Sequence, residues 1–197
     1  DTANVYGAGA SETLIGQAFS GMRSQVVISS KIGLVDFDTK LIMDAQSMRG
    51  SVLDSLRRLG TDYIDVLHLH KVTTDELCEN DTILRVMEAL RKEGVVRALA
   101  ISVNDPNDAS HPIVVGNFDA VQLNFSLLDM RVAENNFLQE ALDSKVSIIA
   151  RTPLNFGFLA ENFPLDVEFP IDDHRSLWSV AKLHHWIKGA NIMLKAA

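Results

Sequence analysis

Short apolar runs alternate with helix-spaced ones along most of this chain. Val26–Ser30 (VVISS) is β-branched and apolar, and its length suits a buried strand. Ser47–Leu59 follows, with Met48, Val52, Leu56 and Leu59 at helical spacing and Gly60 as a natural stop. Tyr63–Leu69 reads as the next strand. Thr82–Glu93 sets Ile83, Val86, Met87 and Leu90 on one helical face and ends at Gly94. Val95–Val103 is again strand-like, and Asp105-Pro106 has the form of an N-cap followed by proline at the first helical position. Ala120–Phe125 predicts a strand, Glu134–Ser144 a helix and Val146–Thr152 a strand. Ala160–Asp173, with Pro164 and Pro170, is loop-like. Ser176–Ala197 closes the pattern as an amphipathic helix carrying Leu183, Trp186, Ile187, Ala190 and Leu194.

Short, uniformly apolar strands, each followed by a helix, belong in a parallel sheet covered on both faces. Two architectures fit: a doubly wound open sheet and a (β/α)8 barrel. No G-x-G-x-x-G follows a strand, which counts against a classical dinucleotide-binding open sheet. Composition adds only boundaries. With 47% hydrophobic and 22% charged residues, the 197-residue chain can bury a core as one domain. A formal net charge of −8 and no Lys/Arg cluster disfavour nucleic acid or an anionic membrane as partner. Cys78 is the one cysteine, so no intrachain disulfide forms, and a reduced thiol in the cytoplasm is expected. No signal peptide is visible, and no apolar run reaches the roughly 18 residues of a membrane span. Asp1 stands where an initiator methionine would, which suggests a processed chain or a fragment.

In a parallel α/β fold, chemistry gathers at the carboxyl ends of the strands. Those ends carry Lys31, His70 (with His68 two places before it), Ser102 with Asn104, Gln122, and Arg151 followed by Thr152-Pro-Leu154-Asn-Phe-Gly157. Asp1-Thr-Ala-Asn-Val-Tyr6-Gly7 would end one further strand. Singly, each has an ordinary explanation: a solvated lysine, a core histidine, a buried amide bonded to backbone. The regularity of the set along one edge is more specific than any member.

Asp1-Thr2-Ala3-x-x-Tyr6-Gly7, with Glu12 and Ile15-Gly16, resembles the aldo-keto reductase signature D-T-A-x-x-Y-G-x-x-x-x-E-x-x-I-G. Val27-Ile28-Ser29-Ser30-Lys31 is similar to that family's strand ending in its active-site lysine. Asp62-Tyr63-Ile64-Asp65 through His70 resembles its T-D-Y-I-D-x-x-x-x-H stretch, which selects His70 over His68. Leu99–Ser102 and Asp119–Gln122 resemble its cofactor-contacting strands. The resemblance implies a (β/α)8 TIM barrel, incomplete, with about strands 2–7 of 8 present in a single partial domain, 1–197. It implies a catalytic tetrad of Asp1, Tyr6, Lys31 and His70, NADPH as cofactor with NADH left open, a small-molecule carbonyl substrate and no metal. In that tetrad Tyr6 gives a proton to the carbonyl oxygen, and a neighbouring ammonium stabilises the phenolate left behind. Lys31 is held by Asp1, and His70 orients the carbonyl and shares its developing charge.

By the same resemblance, Ser102 and Gln122 hold the nicotinamide carboxamide, and backbone N–H groups around Leu154–Gly157 face the pyrophosphate. Three positions depart from the family pattern. Ser102-Val103-Asn104 replaces Ser-Asn, Arg151 stands where a tyrosine commonly stacks on the nicotinamide, and Ser126 replaces an amide. An arginine plane can take over the stacking. Family members are longer at both ends, so the expectation is a truncated barrel lacking its 2′-phosphate site. Two rival readings follow: a cofactor-binding regulatory or interaction subunit with little turnover, and an inactive remnant.

Overall fold

The structure, a computed structural model, describes residues 1–196 except 106–107, 111–112, 114–117 and 135. Five strands form one sheet in the order β1 (Ser29–Ile32), β2 (Ile64–His70), β3 (Val96–Ser102), β4 (Ala120–Asn124), β5 (Ser147–Arg151). The β1–β2, β2–β3 and β3–β4 pairings are parallel. The α/β class and the parallel sheet expected from the pattern are both present. The expected stub of an earlier strand also appears: Thr2 N–H donates to Ser29 O at 2.9 Å and Asn4 N–H to Lys31 O at 3.5 Å. Steps of two on both partners are how a neighbouring parallel strand bonds.

The chain divides into two compact units. The first is Asp1–Leu123 with Phe137–Ile149, and the second is Asn124–Asn136 with Ala150–Ala197. In the first, α1 (Ala10–Ala18), α2 (Ala45–Leu59), α3 (Thr74–Glu79) and α4 (Asp81–Lys92) accompany the strands. The second holds a short helix α5 (Arg131–Glu134) and the long helix α7 (Val180–Ala196), while α6 (Phe137–Asp143) belongs to the first. The expected Glu134–Ser144 helix thus appears as two stretches on either side of residue 135, and the Pro106 of the expected cap lies outside the described residues. Among the described residues, no helix is long and apolar enough to cross a membrane.

The first unit's core is built as the apolar spacing requires. Met48, Val52 and Leu59 of α2 and Ile83 and Met87 of α4 are buried with Ile64, Leu67, Leu69, Leu99, Ile101 and Val121 of the strands. Burial of each such side chain is worth about 1.5–3 kcal/mol, so this cluster dominates local stability. Asp44 caps α2 by accepting from Ser47 N–H at 2.7 Å, and Gly60, at φ 62°, ends it as expected. The second unit has its own small core. Phe158, Ile187 and Ala190 are buried, with Phe163, Phe169 and Trp178 packed on them.

One strand is displaced from its expected place. The apolar Val26-Val27 lead into β1 rather than forming it: Val27 is 75% exposed, and Ile28 N–H is taken by the Asp65 carboxylate at 2.8 Å. The paired residues are Ser29, Ser30, Lys31 and Ile32, opposite Val66 to Leu69. Three polar residues occupy a buried strand because each has a partner there, as described next.

Candidate active site

Side chains alternate across a strand, so Ser29 and Lys31 of β1 share one face and Ser30 and Ile32 the other. The parallel register sets Lys31 beside His68 and Ala100, and sets His70 beside Ser102, which in turn stands beside Gln122. The polar residues of four elements therefore fall on two adjacent rows of one sheet face.

Lys31 is the centre of this arrangement. It is 1% exposed, and its Nζ donates to Asp1 Oδ1 and Oδ2, each at 2.8 Å, and to Thr2 O at 2.7 Å. A buried ammonium is tolerated only when paired and hydrogen-bonded, and these acceptors meet that need. Its Nζ lies 5.4 Å from the Tyr6 ring centroid. The His70 ring meets the Tyr6 ring edge-on, centroids 6.4 Å apart at 87°. The structure thus brings Asp1, Tyr6, Lys31 and His70 together within the first unit.

Ser102 and Gln122 are also buried, at 1% and 3% exposure. Gln122 Nε2 points to Asp1 Oδ1 at 3.4 Å, and Gln122 Oε1 has no hydrogen-bond partner among the described residues. Arg151, Leu154 and Gly157 lie in the second unit. Arg151 Nε donates to Asn124 Oδ1 at 2.8 Å, and Leu154 is 55% exposed. In the loop that follows, Asn155, Phe156 and Gly157 all have positive φ (46°, 58° and 92°). The Asn155 and Gly157 N–H groups donate inside that loop, to Thr152 O at 2.8 Å and Leu154 O at 3.1 Å.

The sequence reading missed several neighbours. Ser29 Oγ donates to Asp1 Oδ1 at 3.1 Å and lies 2.8 Å from His68 Nε2. His68 is fully buried; burial first, then the charges of Lys31 and His70, holds its imidazole down to about 3 from an ordinary 6.5. Strand alternation could have found both residues, since Ser29 lies two places from Lys31 and His68 two places from His70. Phe37 stacks on Tyr6, centroids 6.2 Å apart at 18°, and no sequence signal marks it. Gly33 is a backbone requirement: at φ 127°, a Cβ there would sit 2.6 Å from His70 O. A side chain at Gly33 would therefore displace the strand end that carries His70.

The first unit thus holds a buried lysine paired to an aspartate and 5.4 Å from a tyrosine ring centroid, with a histidine edge-on to that ring. The Aldo/keto reductase family model matches residues 1–191. The chain belongs to the aldo/keto reductase family. The uncharacterized oxidoreductase YqkF of Bacillus subtilis is 32% identical over 170 residues, covering 84% of this chain and 54% of that protein. The NADH-specific methylglyoxal reductase of Escherichia coli is 30% identical over 181 residues, covering 84% of this chain and 55% of that enzyme. The chain therefore spans about half the length of these relatives. Among solved aldo/keto reductases, the holo form of AKR11C1 from Bacillus halodurans superposes with a TM-score of 0.76 at 30% identity, over 87% of this chain and 58% of that one. The glycerol dehydrogenase AKR11B4 from Gluconobacter oxydans superposes at 0.78 with 26% identity, over 99% of this chain and 61% of that one. Matches at this level place the five-stranded sheet within an aldo/keto reductase (β/α)8 barrel.

Proposed function

We propose that this chain carries the reacting centre of an NAD(P)H-dependent aldo-keto reductase that converts an aldehyde or ketone to an alcohol. The observation that carries the reading is the fully buried Lys31, paired to Asp1 and facing the Tyr6 ring. A nicotinamide cofactor, when bound, supplies the hydride, with NADPH the expected form. NADPH is present in an aldo-keto reductase structure from Klebsiella pneumoniae, whereas the Escherichia coli relative is named for NADH.

The chain's own residues divide the remaining work. Tyr6 gives its phenolic proton to the carbonyl oxygen as negative charge develops there. Lys31 stabilises the phenolate that remains, and Asp1 keeps the ammonium charged and aimed at that ring. His70, edge-on to Tyr6, orients the carbonyl oxygen toward the phenol. The residues fit a nicotinamide: Gln122 Oε1 is a buried acceptor lacking a partner among the described residues, and a carboxamide N–H would satisfy it. Ser102 shares that contact; Arg151, Leu154 and Gly157 remain proposed for the cofactor, Gly157 through its backbone conformation at φ 92°, since its N–H is donated to Leu154 O at 3.1 Å.

The test is NADPH oxidation by the purified protein across a panel of aldehydes and ketones, with Tyr6→Phe alongside. Turnover is expected for the native protein. The variant should lose it while binding cofactor normally, because the phenol donates mainly in the transition state. No turnover on any carbonyl, or near-native turnover by Tyr6→Phe, overturns the reading.

A further inference from the structure

Asp1 is the weakly anchored member of the site. Its side chain is 48% exposed, against 1% for the lysine it pairs with. An exposed carboxylate does not by itself keep one orientation, since side-chain entropy and solvent compete with the ion pair. Something must hold it if Lys31 is to stay aimed at Tyr6.

From the geometry we infer that Ser29 and His68 are positioning residues for Asp1, with His68 donating from Nε2 to the Ser29 hydroxyl and that hydroxyl donating to the Asp1 carboxylate. The inference rests on the reading above, in which Asp1 serves Lys31 and Tyr6. Proton accounting fixes the direction. An ionised carboxylate only accepts. The 3.1 Å contact from Ser29 Oγ to Asp1 Oδ1 therefore uses the serine's one hydrogen. The 2.8 Å contact between Ser29 Oγ and His68 Nε2 must then be donated by the histidine. That assigns the neutral Nε2–H tautomer to His68 and leaves its Nδ1 a bare acceptor.

The surroundings agree with that assignment. His68 Nδ1 is buried and has no hydrogen-bond partner among the described residues, so a second hydrogen there would be stranded. Charging the ring would also place it beside the Lys31 ammonium, its register neighbour on β1, and near His70. His68 is thus a permanent neutral donor at the far end of a two-bond arm. The arm reaches the same Oδ1 that accepts from Lys31 and Gln122.

Two measurements on the whole protein test this. The first is the imidazole nitrogen spectrum of histidine-labelled protein, with His68 assigned by its loss in His68→Gln. The expected result is a neutral His68 carrying its hydrogen on Nε2 at pH 7 and still at pH 5. Hydrogen on Nδ1, or a charged ring at pH 6, overturns the arm whatever the turnover. The second is kinetic. Ser29→Ala and His68→Leu should each lower kcat roughly tenfold with the cofactor KM unchanged, as for losing one hydrogen bond to a charged group. The double variant should be no worse than either single one, because the two residues act as a unit. His68→Gln, whose amide can donate to the same hydroxyl, should recover most of the loss. Full turnover in Ser29→Ala, additive losses, or no recovery in His68→Gln overturns the proposal. An Nε2–H tautomer in a protein that reduces no carbonyl would support the arm and remove the reductase reading.

Discussion

At the scale of single residues, the site trades stability for a fixed electrostatic setting. His68 shows the trade as a pH dependence. Its imidazole is held at about 3 in the folded chain, against an ordinary 6.5, by burial first and then by the charges of Lys31 and His70. Between those values the unfolded chain binds a proton that the folded chain refuses. Stability is therefore greatest above pH 6.5 and falls as pH drops toward 3, by up to about 1.4 kcal/mol per pH unit. Denaturant midpoints measured from pH 4.5 to 7.5 should show this slope in the native protein and a shallower one in His68→Gln; parallel profiles would contradict it. That Asp1, Tyr6, Lys31 and His70 come together was legible because the resemblance groups them and because strand ends are where such residues gather. Strand alternation puts Ser29 and His68 on the same face as Lys31 and His70, but who donates to whom among them is not encoded by spacing.

At the scale of elements, close approach explains what composition could not. Gly16 on α1 faces the last turn of α2, where a Cβ would sit 2.6 Å from Leu59 O and 2.7 Å from Arg58 O. Backbone atoms cannot yield as a flexible side chain can. Gly16→Val is therefore expected to force α1 and α2 apart and destabilise the protein by about 1–3 kcal/mol, read as a lower denaturant midpoint. An unchanged midpoint would show that the helices slide freely. Helix α3 rests on a different device. Thr73 and Glu76 form a capping box in which Glu76 accepts from Thr73 N–H at 2.7 Å, and Lys40 closes on the same carboxylate. Thr73→Ala should cost about 1 kcal/mol, and helicity at α3 measured by chemical shifts should fall with it. Helices α2 and α4 were visible as apolar stripes on long segments. Helices α1 and α3 were not, because the first coincides with a signature motif and the second is too short to show a period. Strand β1 was displaced for the opposite reason: most of the apolar residues that announce it precede it, and apart from Ile32 its own side chains are polar ones in partnership.

At the scale of the whole molecule, the two units differ in how completely they close around their own cores. In the first, β2 has six of its seven residues buried and β3 five of seven. In the second, Ile171 and Leu177 are 96% and 84% exposed. Local opening costs least where few apolar contacts must be broken. Amide hydrogen exchange should therefore be slowest through β2 and β3 and fastest through residues 165–177; uniform protection along the chain would refute that ordering. The class of fold was legible because alternating strands and helices leave few architectures. The choice of a barrel over an open sheet came from the family resemblance, and the division into two units had no signature in the sequence.

Strand β1 is four residues long, and its alternation has a further consequence. Sliding it one place along β2 would turn Lys31 away from Asp1 and toward the opposite side, where Glu12 lies fully buried and accepts from Ser30 Oγ at 2.5 Å. A carboxylate in that position is a tempting wrong address for a lysine that must not be left unpaired. It is already taken: Arg58 Nε holds Glu12 Oε2 at 2.7 Å. The ion pair that ties α1 to α2 therefore also occupies the carboxylate that a slipped Lys31 would meet, so misalignment would set two cations in competition for it.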